Sequence, residues 1–270
     1  MSRINVCVAG ATGWAGSDLS SGVAKSDDLD LVSAVSRSHA GSNLGAALGT
    51  TDATLTAPVY ASVAEALAAH STDVLVEYTT PAAALGNVLT ALRVGVNVVV
   101  GTSGLSDADY AGIDQAAKAA AKGVLAVGNF ALSVVLLQRF AEAAAKLIPH
   151  WEIIDYAHAT KIDAPSGTVS ELAARLGRAA QAQQAVSLDE TRGEIATRGA
   201  TMGGAQVHSV RLPGHTLGVE VVFGLDDQRL SIRCDAGTSA QPYVEGALLA
   251  IRKVGSFTGL RRGLDAVLDS

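Results

Sequence analysis

The sequence predicts an α/β chain in two parts: a doubly wound parallel sheet, and an α+β region with a mainly antiparallel sheet. Three observations carry this. Short β-rich runs alternate with Ala-rich helical segments through the first half. A glycine-rich turn joins the first run to the first helical segment. After residue 200, three β-rich runs follow one another with short connections.

In order, the parallel strands are expected at residues 5–9, 29–36, 73–78, 96–101 and 124–127. Between them lie SDLSSGVAKS, SVAEALAAH, PAAALGNVLTALRVG and SDADYAGIDQAAKAAAKG. The last two place apolar residues at helical spacing, and Ser106 with the acids after it reads as a helix cap. The character changes near residue 130, where ALSVVLLQRFAEAAAKLI predicts a long helix and EIIDYAH a strand. VSELAARLGRAAQ follows, with Val169, Leu172, Ala173 and Leu176 on one helical face. AQVHSVRL, GVEVVFGL and QRLSIRC are the next strands, with GLDDQR as a hairpin turn between the last two. Leu230, Ile232 and Cys234 alternate with Arg229, Ser231 and Arg233, which predicts one buried face. Residues 243–254 return to a helical pattern, as expected of a helix that closes back on the first part. The expected domains are 1–129 with 237–270 for a dinucleotide, and 130–236 for substrate and oligomerisation.

The 270 residues are 49% hydrophobic and 17% charged, which excludes a disordered chain. A formal charge of −6 without a basic run speaks against a nucleic-acid partner. The N-terminus runs straight into an apolar strand, and no apolar stretch reaches the roughly 18–20 residues of a membrane span. A cytoplasmic protein without membrane association is expected. Cys7 and Cys234 lie in apolar runs and read as buried free thiols, and no metal-ligand spacing is present.

Gly10, Gly13 and Gly16 fall between the first strand and the first helix. Glycines there permit a tight turn and backbone approach to a pyrophosphate, with helix amides facing the phosphates. Their spacing is GxxGxxG, and the plainer alternative is a turn with no ligand. The second strand ends in SAVSRSHAG, without the acid that would hold a free ribose 2′-hydroxyl. Arg37 between Ser36 and Ser38 suits a 2′-phosphate, which favours NADPH, with NADH as an alternative coenzyme. Arg37 as a solvated surface residue is the competing reading.

A second motif lies in DYAHATKIDAPSGT, residues 155–168. Pro165, Ser166, Gly167 and Thr168 precede an amphipathic helix, whose free amides could cradle a carboxylate. Lys161 adds a positive charge, and His158 is the residue type suited to proton exchange at neutral pH. The plainer alternative is a capped helix beside an exposed lysine. Among the other histidines, His208 reads as structural, His39, His70 and His150 as surface residues, and His215 as a loop residue near a ligand or free of one. Trp14 either covers a coenzyme or packs on the first helix; Trp151 reads as core.

Together with EYTTP (77–81), VVGTSG (99–104), GNF (128–130) and GGAQVHSVRLPG (203–214), these motifs resemble the dihydrodipicolinate reductase family. The resemblance spans nearly the whole chain, and K-x-D-A-P-S-G-T is its most specific piece. It implies reduction of 4-hydroxy-tetrahydrodipicolinate to tetrahydrodipicolinate on the diaminopimelate route to lysine, by a Rossmann-type domain joined to a substrate domain. It further implies that Gly10, Ala11, Thr12, Gly13, Trp14, Ala15 and Gly16 form the coenzyme phosphate loop. Gly101, Thr102, Ser103, Gly128, Asn129 and Phe130 would hold the nicotinamide end. Lys161, Ser166, Gly167 and Thr168 would bind an anionic small-molecule substrate through its carboxylates, and a homotetramer would assemble through the substrate-domain sheets.

The resemblance also exposes a departure. The family pattern has two adjacent histidines before the lysine, the first being the proton donor. Here that position is Ala157, while His158 matches the second and Asp155 the acid two positions before the pair. Alanine cannot donate a proton, which leaves His158, Lys161 or a water. The alternatives are a divergent paralogue acting on another imine or small acid, and a catalytically inactive coenzyme-binding regulatory protein. On the enzyme reading, hydride reaches the C=N carbon while Lys161 and the 166–168 amides fix the carboxylates, and positioning supplies most of the rate.

Overall fold

Apolar runs such as residues 6–9 and 98–100 are what strands covered on both faces require. In the computed structural model, which describes residues 3–268, both runs are buried strands of one parallel sheet. The strands are β1 (Ile4–Ala9), β2 (Leu29–Val35), β3 (Val59–Tyr60), β4 (Val74–Glu77), β5 (Asn97–Val100), β6 (Gly123–Ala126), β7 (His150–Ala157), β8 (Ala200–Met202), β9 (Ala205–Arg211), β10 (Leu217–Leu225), β11 (Gln228–Ala236) and β12 (Gly259–Arg262). The helices are α1 (Trp14–Ala24), α2 (Leu44–Leu48), α3 (Val63–Ala69), α4 (Pro81–Arg93), α5 (Asp107–Ala119), α6 (Leu132–Ala145), α7 (Gly167–Ala179) and α8 (Gln241–Lys253).

The chain divides into two units, Met1–Leu132 with Ala240–Ser270, and Ser133–Ser239. The first holds a seven-stranded sheet in the order β12-β6-β5-β4-β1-β2-β3, with every pairing parallel. Order reverses at β1 and β4, so the connections leaving those strands part there and leave a crevice at their carboxyl ends. Cys7, Leu75, Val98, Val124 and Ile113 belong to the core beneath one face. Ser106 caps α5 reciprocally: its hydroxyl accepts from Asp109 N (3.1 Å), and Asp109 Oδ2 accepts from Ser106 N (2.8 Å). Both ends of the chain build this unit. β12 pairs with β6, α8 packs on α1, and Gly22 makes room for Val244, whose Cγ1 would lie 2.4 Å from an added Cβ.

The second unit carries a five-stranded sheet in the order β11-β10-β7-β9-β8. β7 and β9 run parallel and the other pairs antiparallel. Along β7, Trp151, Ile153, Asp155 and Ala157 are buried, while His150, Glu152, Ile154 and Tyr156 on the opposite face are half-buried. α7 packs its Val169, Leu172, Ala173 and Leu176 stripe inward, against β7, β8 and β9. The expected buried face of β11 is realised only at Cys234: Leu230 is 43% exposed and Ile232 partly so. β11 is the edge strand at the other side of the sheet from β8, beyond the strands that α7 covers.

Candidate active site

The glycine loop follows β1 directly. Gly10 adopts φ +81°, and a Cβ there would stand 2.2 Å from the Tyr78 carbonyl oxygen. A Cβ on Gly16 would lie 2.0 Å from the Gly10 oxygen, so both positions require glycine by close backbone approach. Gly10 N and Ala11 N donate to Val35 O, which ties the loop to β2. Gly13 is the N-cap of α1 without a side-chain bond, and the first intrahelical donation comes from Ser17 N. The amides of Trp14, Ala15 and Gly16 therefore have no intrahelical acceptor. Trp14 is 62% exposed and meets the Tyr243 ring edge-on at 5.8 Å.

At the end of β2, Thr12 and the buried Ser36 share a 2.8 Å hydrogen bond, and Ser38 Oγ lies 2.9 Å from His39 Nδ1. Arg37 is exposed between them, and no carboxylate pairs with it among the described residues. His39 is exposed, as expected, and joins a hydroxyl cluster there.

The 101–103 and 128–130 segments close the ends of β5 and β6. Gly101 N donates to Glu77 O (2.9 Å), and the Tyr78 ring lies where a Gly101 side chain would be, its Cζ 2.4 Å from the Cβ position. Burial pushes the Tyr78 phenol well above its ordinary range, so it stays neutral. Phe130 is buried with its ring 5.7 Å from that of Tyr78, and Asn129 Oδ1 accepts from Ala131 N. Gly128 is exposed with nothing within 4 Å of a Cβ there, Thr102 is buried and Ser103 exposed. Glu77, wholly buried, accepts from Thr79 N (3.1 Å), the Thr79 hydroxyl and Asn87 (3.3 Å), which fixes the turn that carries Tyr78.

In the second unit, β7 ends at Ala157, and His158 falls in the turn after it rather than in the strand. Its side chain is exposed, with Nδ1 2.9 Å from Thr160 Oγ1. Lys161 Nζ pairs with Asp163 Oδ1 at 2.8 Å, which holds the Asp163 carboxyl below its ordinary range. α7 begins after Ser166, and Ser170 N makes the first intrahelical bond. Ser166 is already committed: its N–H and hydroxyl donate to the two oxygens of buried Asp155 (2.8 and 2.9 Å), and its hydroxyl accepts from Val169 N. The free donors at the start of α7 are accordingly the amides of Gly167 and Thr168, and Gly167 is open to solvent.

Ala157 is fully buried and pairs in register with Arg211. Arg211 donates to Asp155 Oδ2 (2.7 Å) and to the Asp163 carbonyl (2.7 Å). This arginine is absent from the sequence-derived candidates, and its only signal there is a place within GGAQVHSVRLPG. His208 binds Glu152 (2.8 Å), His70 binds Tyr60 and His150 the Gln183 carbonyl, all structural contacts. His215 stacks on Tyr156 with centroids 5.2 Å apart. Trp151, Cys7 and Cys234 are buried, both cysteines free.

A parallel sheet in this strand order, with a glycine loop at its reversal point, defines a Rossmann-type dinucleotide-binding protein of the reductase and dehydrogenase class. Within that class the chain belongs to the dihydrodipicolinate reductase family. Residues 4–130 match the family's N-terminal model and residues 133–268 its C-terminal model. The 4-hydroxy-tetrahydrodipicolinate reductase of Moorella thermoacetica is 37% identical over 270 residues, covering 100% of this chain and 99% of its own. That of Bacillus pumilus is 35% identical over 266 residues, 98% of each chain. The dipicolinate-bound dihydrodipicolinate reductase from Paenisporosarcina sp. TG-14 superposes with a TM-score of 0.89 at 28% identity, covering 98% of this chain and 100% of the other. An amine dehydrogenase from Mycobacterium smegmatis shares the fold at a TM-score of 0.66 and 16% identity, over 96% and 95% of the two chains. Family and fold together imply a nicotinamide dinucleotide as coenzyme.

Proposed function

We propose that the chain is an NADPH-preferring reductase of 4-hydroxy-tetrahydrodipicolinate. The observation that supports this is the loop of residues 161–168, which carries a lysine and ends in two unpartnered helix amides, in a chain whose full-length relatives bear that name. The first unit fits the coenzyme: Gly10 and Gly16 admit close backbone approach, Trp14–Gly16 amides await an acceptor, and Arg37 stands unpaired at the end of β2. When bound, the nicotinamide supplies the hydride. Residues 10–16 and Arg37 hold the phosphates, and Gly101, Thr102, Ser103, Gly128, Asn129 and Phe130 frame the ring.

The chain's own work is positioning and charge. Lys161 leaves Asp163 for a substrate carboxylate, and the Gly167 and Thr168 amides receive a second oxygen pair at the positive end of α7. Ser166 serves this loop as cap and anchor, not as a donor to substrate. With Ala157 in the strand, protonation of nitrogen falls to His158, the next residue, whose ring is exposed, or to water. The buried alanine also favours a second reading, a paralogue acting on a different cyclic imine acid. Residues 1–129 with 237–270 serve the coenzyme and 130–236 the substrate.

The half-buried face of the second sheet, with Ile154 and Val222 beside His150 and Glu152, is the surface for a homotetramer. No helix among the described residues is long and apolar enough to cross a membrane, and no group of acids, histidines or cysteines there could hold a metal.

The test is steady-state NADPH oxidation with freshly generated 4-hydroxy-tetrahydrodipicolinate, with NADH in parallel. Turnover of about 1–1,000 per second is expected. A protein that binds NADPH but does not turn over would exclude this substrate and move the search to other cyclic imines.

A further inference from the structure

We infer that Asp155 and Arg211 form a positioning clamp that sets the anion loop, and that substrate affinity depends on it more than the chemical step does. This rests on the reading of residues 161–168 as a carboxylate site. Asp155 is 1% exposed on β7, and its two oxygens take the Ser166 N–H and hydroxyl at 2.8 and 2.9 Å. Arg211, on the neighbouring β9, reaches the same carboxylate at 2.7 Å, the Asp155 and Val210 carbonyls at 3.3 and 3.0 Å, and the Asp163 carbonyl at 2.7 Å. Ser209 Oγ stands 3.5 Å from the carboxylate as well. The loop is therefore pinned at Asp163 and at Ser166, on either side of the Ala164–Pro165 step, to two adjacent strands of one sheet.

Charge gives the clamp a second task. A lone carboxylate at the N-cap of α7 would occupy the positive end of that helix and repel an incoming anion. Arg211 neutralises it while leaving the Gly167 and Thr168 amides unpartnered. A planar guanidinium is needed, because it must meet a carboxylate and carbonyls on different sides at once. The same group that builds the strand-to-loop junction thus makes it hospitable to a dicarboxylate. Neither residue touches substrate in this scheme; each acts through the loop.

Asp155→Asn keeps the shape and removes the charge; Arg211→Lys keeps the charge and removes the fork. Both are to be assayed as the full-length protein for kcat, substrate KM, NADPH KM and inhibition by pyridine-2,6-dicarboxylate, with thermal melts alongside. Losing one charge-assisted contact in each should raise substrate KM and the inhibition constant together by about tenfold or more, with kcat within about threefold and NADPH KM unchanged. If Arg211→Lys does not fold, Asp155→Asn carries the test. Both variants within about twofold of wild type in substrate KM, with wild type turning over and inhibited, would overturn the clamp alone. A parallel loss of kcat, NADPH KM and melting temperature would overturn it in favour of a merely structural pair. Wild type that neither turns over nor responds to pyridine-2,6-dicarboxylate would bring down the carboxylate site and the clamp with it.

Discussion

Lys161 and Arg37 each bring a positive charge to a proposed anion site. Lys161 is 29% exposed at its side chain and shares its charge with Asp163, so an incoming carboxylate replaces one partner by another. Lys161→Ala should raise substrate KM about ten- to a hundredfold, the worth of one charge-assisted hydrogen bond, without altering NADPH KM. Asp163→Asn should act in the opposite direction, lowering substrate KM by at most about fivefold, because exposed ion pairs are weak. Its carboxyl lies below the ordinary range, so the pair persists throughout neutral assays and loosens only as pH falls through that lowered value. Arg37→Ala should raise NADPH KM about tenfold and leave NADH KM unchanged, read from initial rates with each coenzyme. The glycines of the loop were legible because close backbone approach leaves no other choice of residue. Arg211 was not, because its partners lie 56 and 48 residues away and no local pattern reports them. Ser166 was legible as a helix cap, yet its commitment to Asp155 is a tertiary fact.

Elements with their own local signals were the readable ones. Ser106 with Asp109 announced α5, and both halves of the reciprocal cap are present. Ser106→Ala should cost about 1 kcal/mol and lower the melting temperature by about 2–4 °C, measured by calorimetry. β3, two residues long, and β12, whose Arg261 and Arg262 lie over Phe257 and Tyr110, carry no strand pattern of their own. Edge positions lend strand geometry to sequences that would otherwise read as loop. The reverse holds at β11. Its alternation of Leu230 and Ile232 with polar residues is that of a covered strand, while α7 packs on the opposite half of the sheet. Periodicity says which residues share a face, and only packing decides whether anything lies on it.

At the scale of the molecule, two units divide the labour proposed above, and each has its own core. Cys7 belongs to the first; burial pushes its thiol up to about 11, so it should resist a thiol reagent at pH 8 in the native protein and react once unfolded. The tetramer proposed through the half-buried face of the second sheet predicts that Val222→Glu yields smaller species by sedimentation, because it sets a second carboxylate opposite Glu152 on that face.

The first unit takes β12 and α8 from the far end of the chain. On the ribosome, residues 133–239 must all be made before those pieces exist, a delay of order ten seconds. Through that interval β6 has a bare hydrogen-bonding edge and α1 an uncovered flank at Gly22, where Val244 will later sit. Until α8 and β12 emerge, those two surfaces have no cover from their native partners. Substitutions in α8 or β12 should lower the yield of soluble protein in cells well before they lower the stability of what has folded.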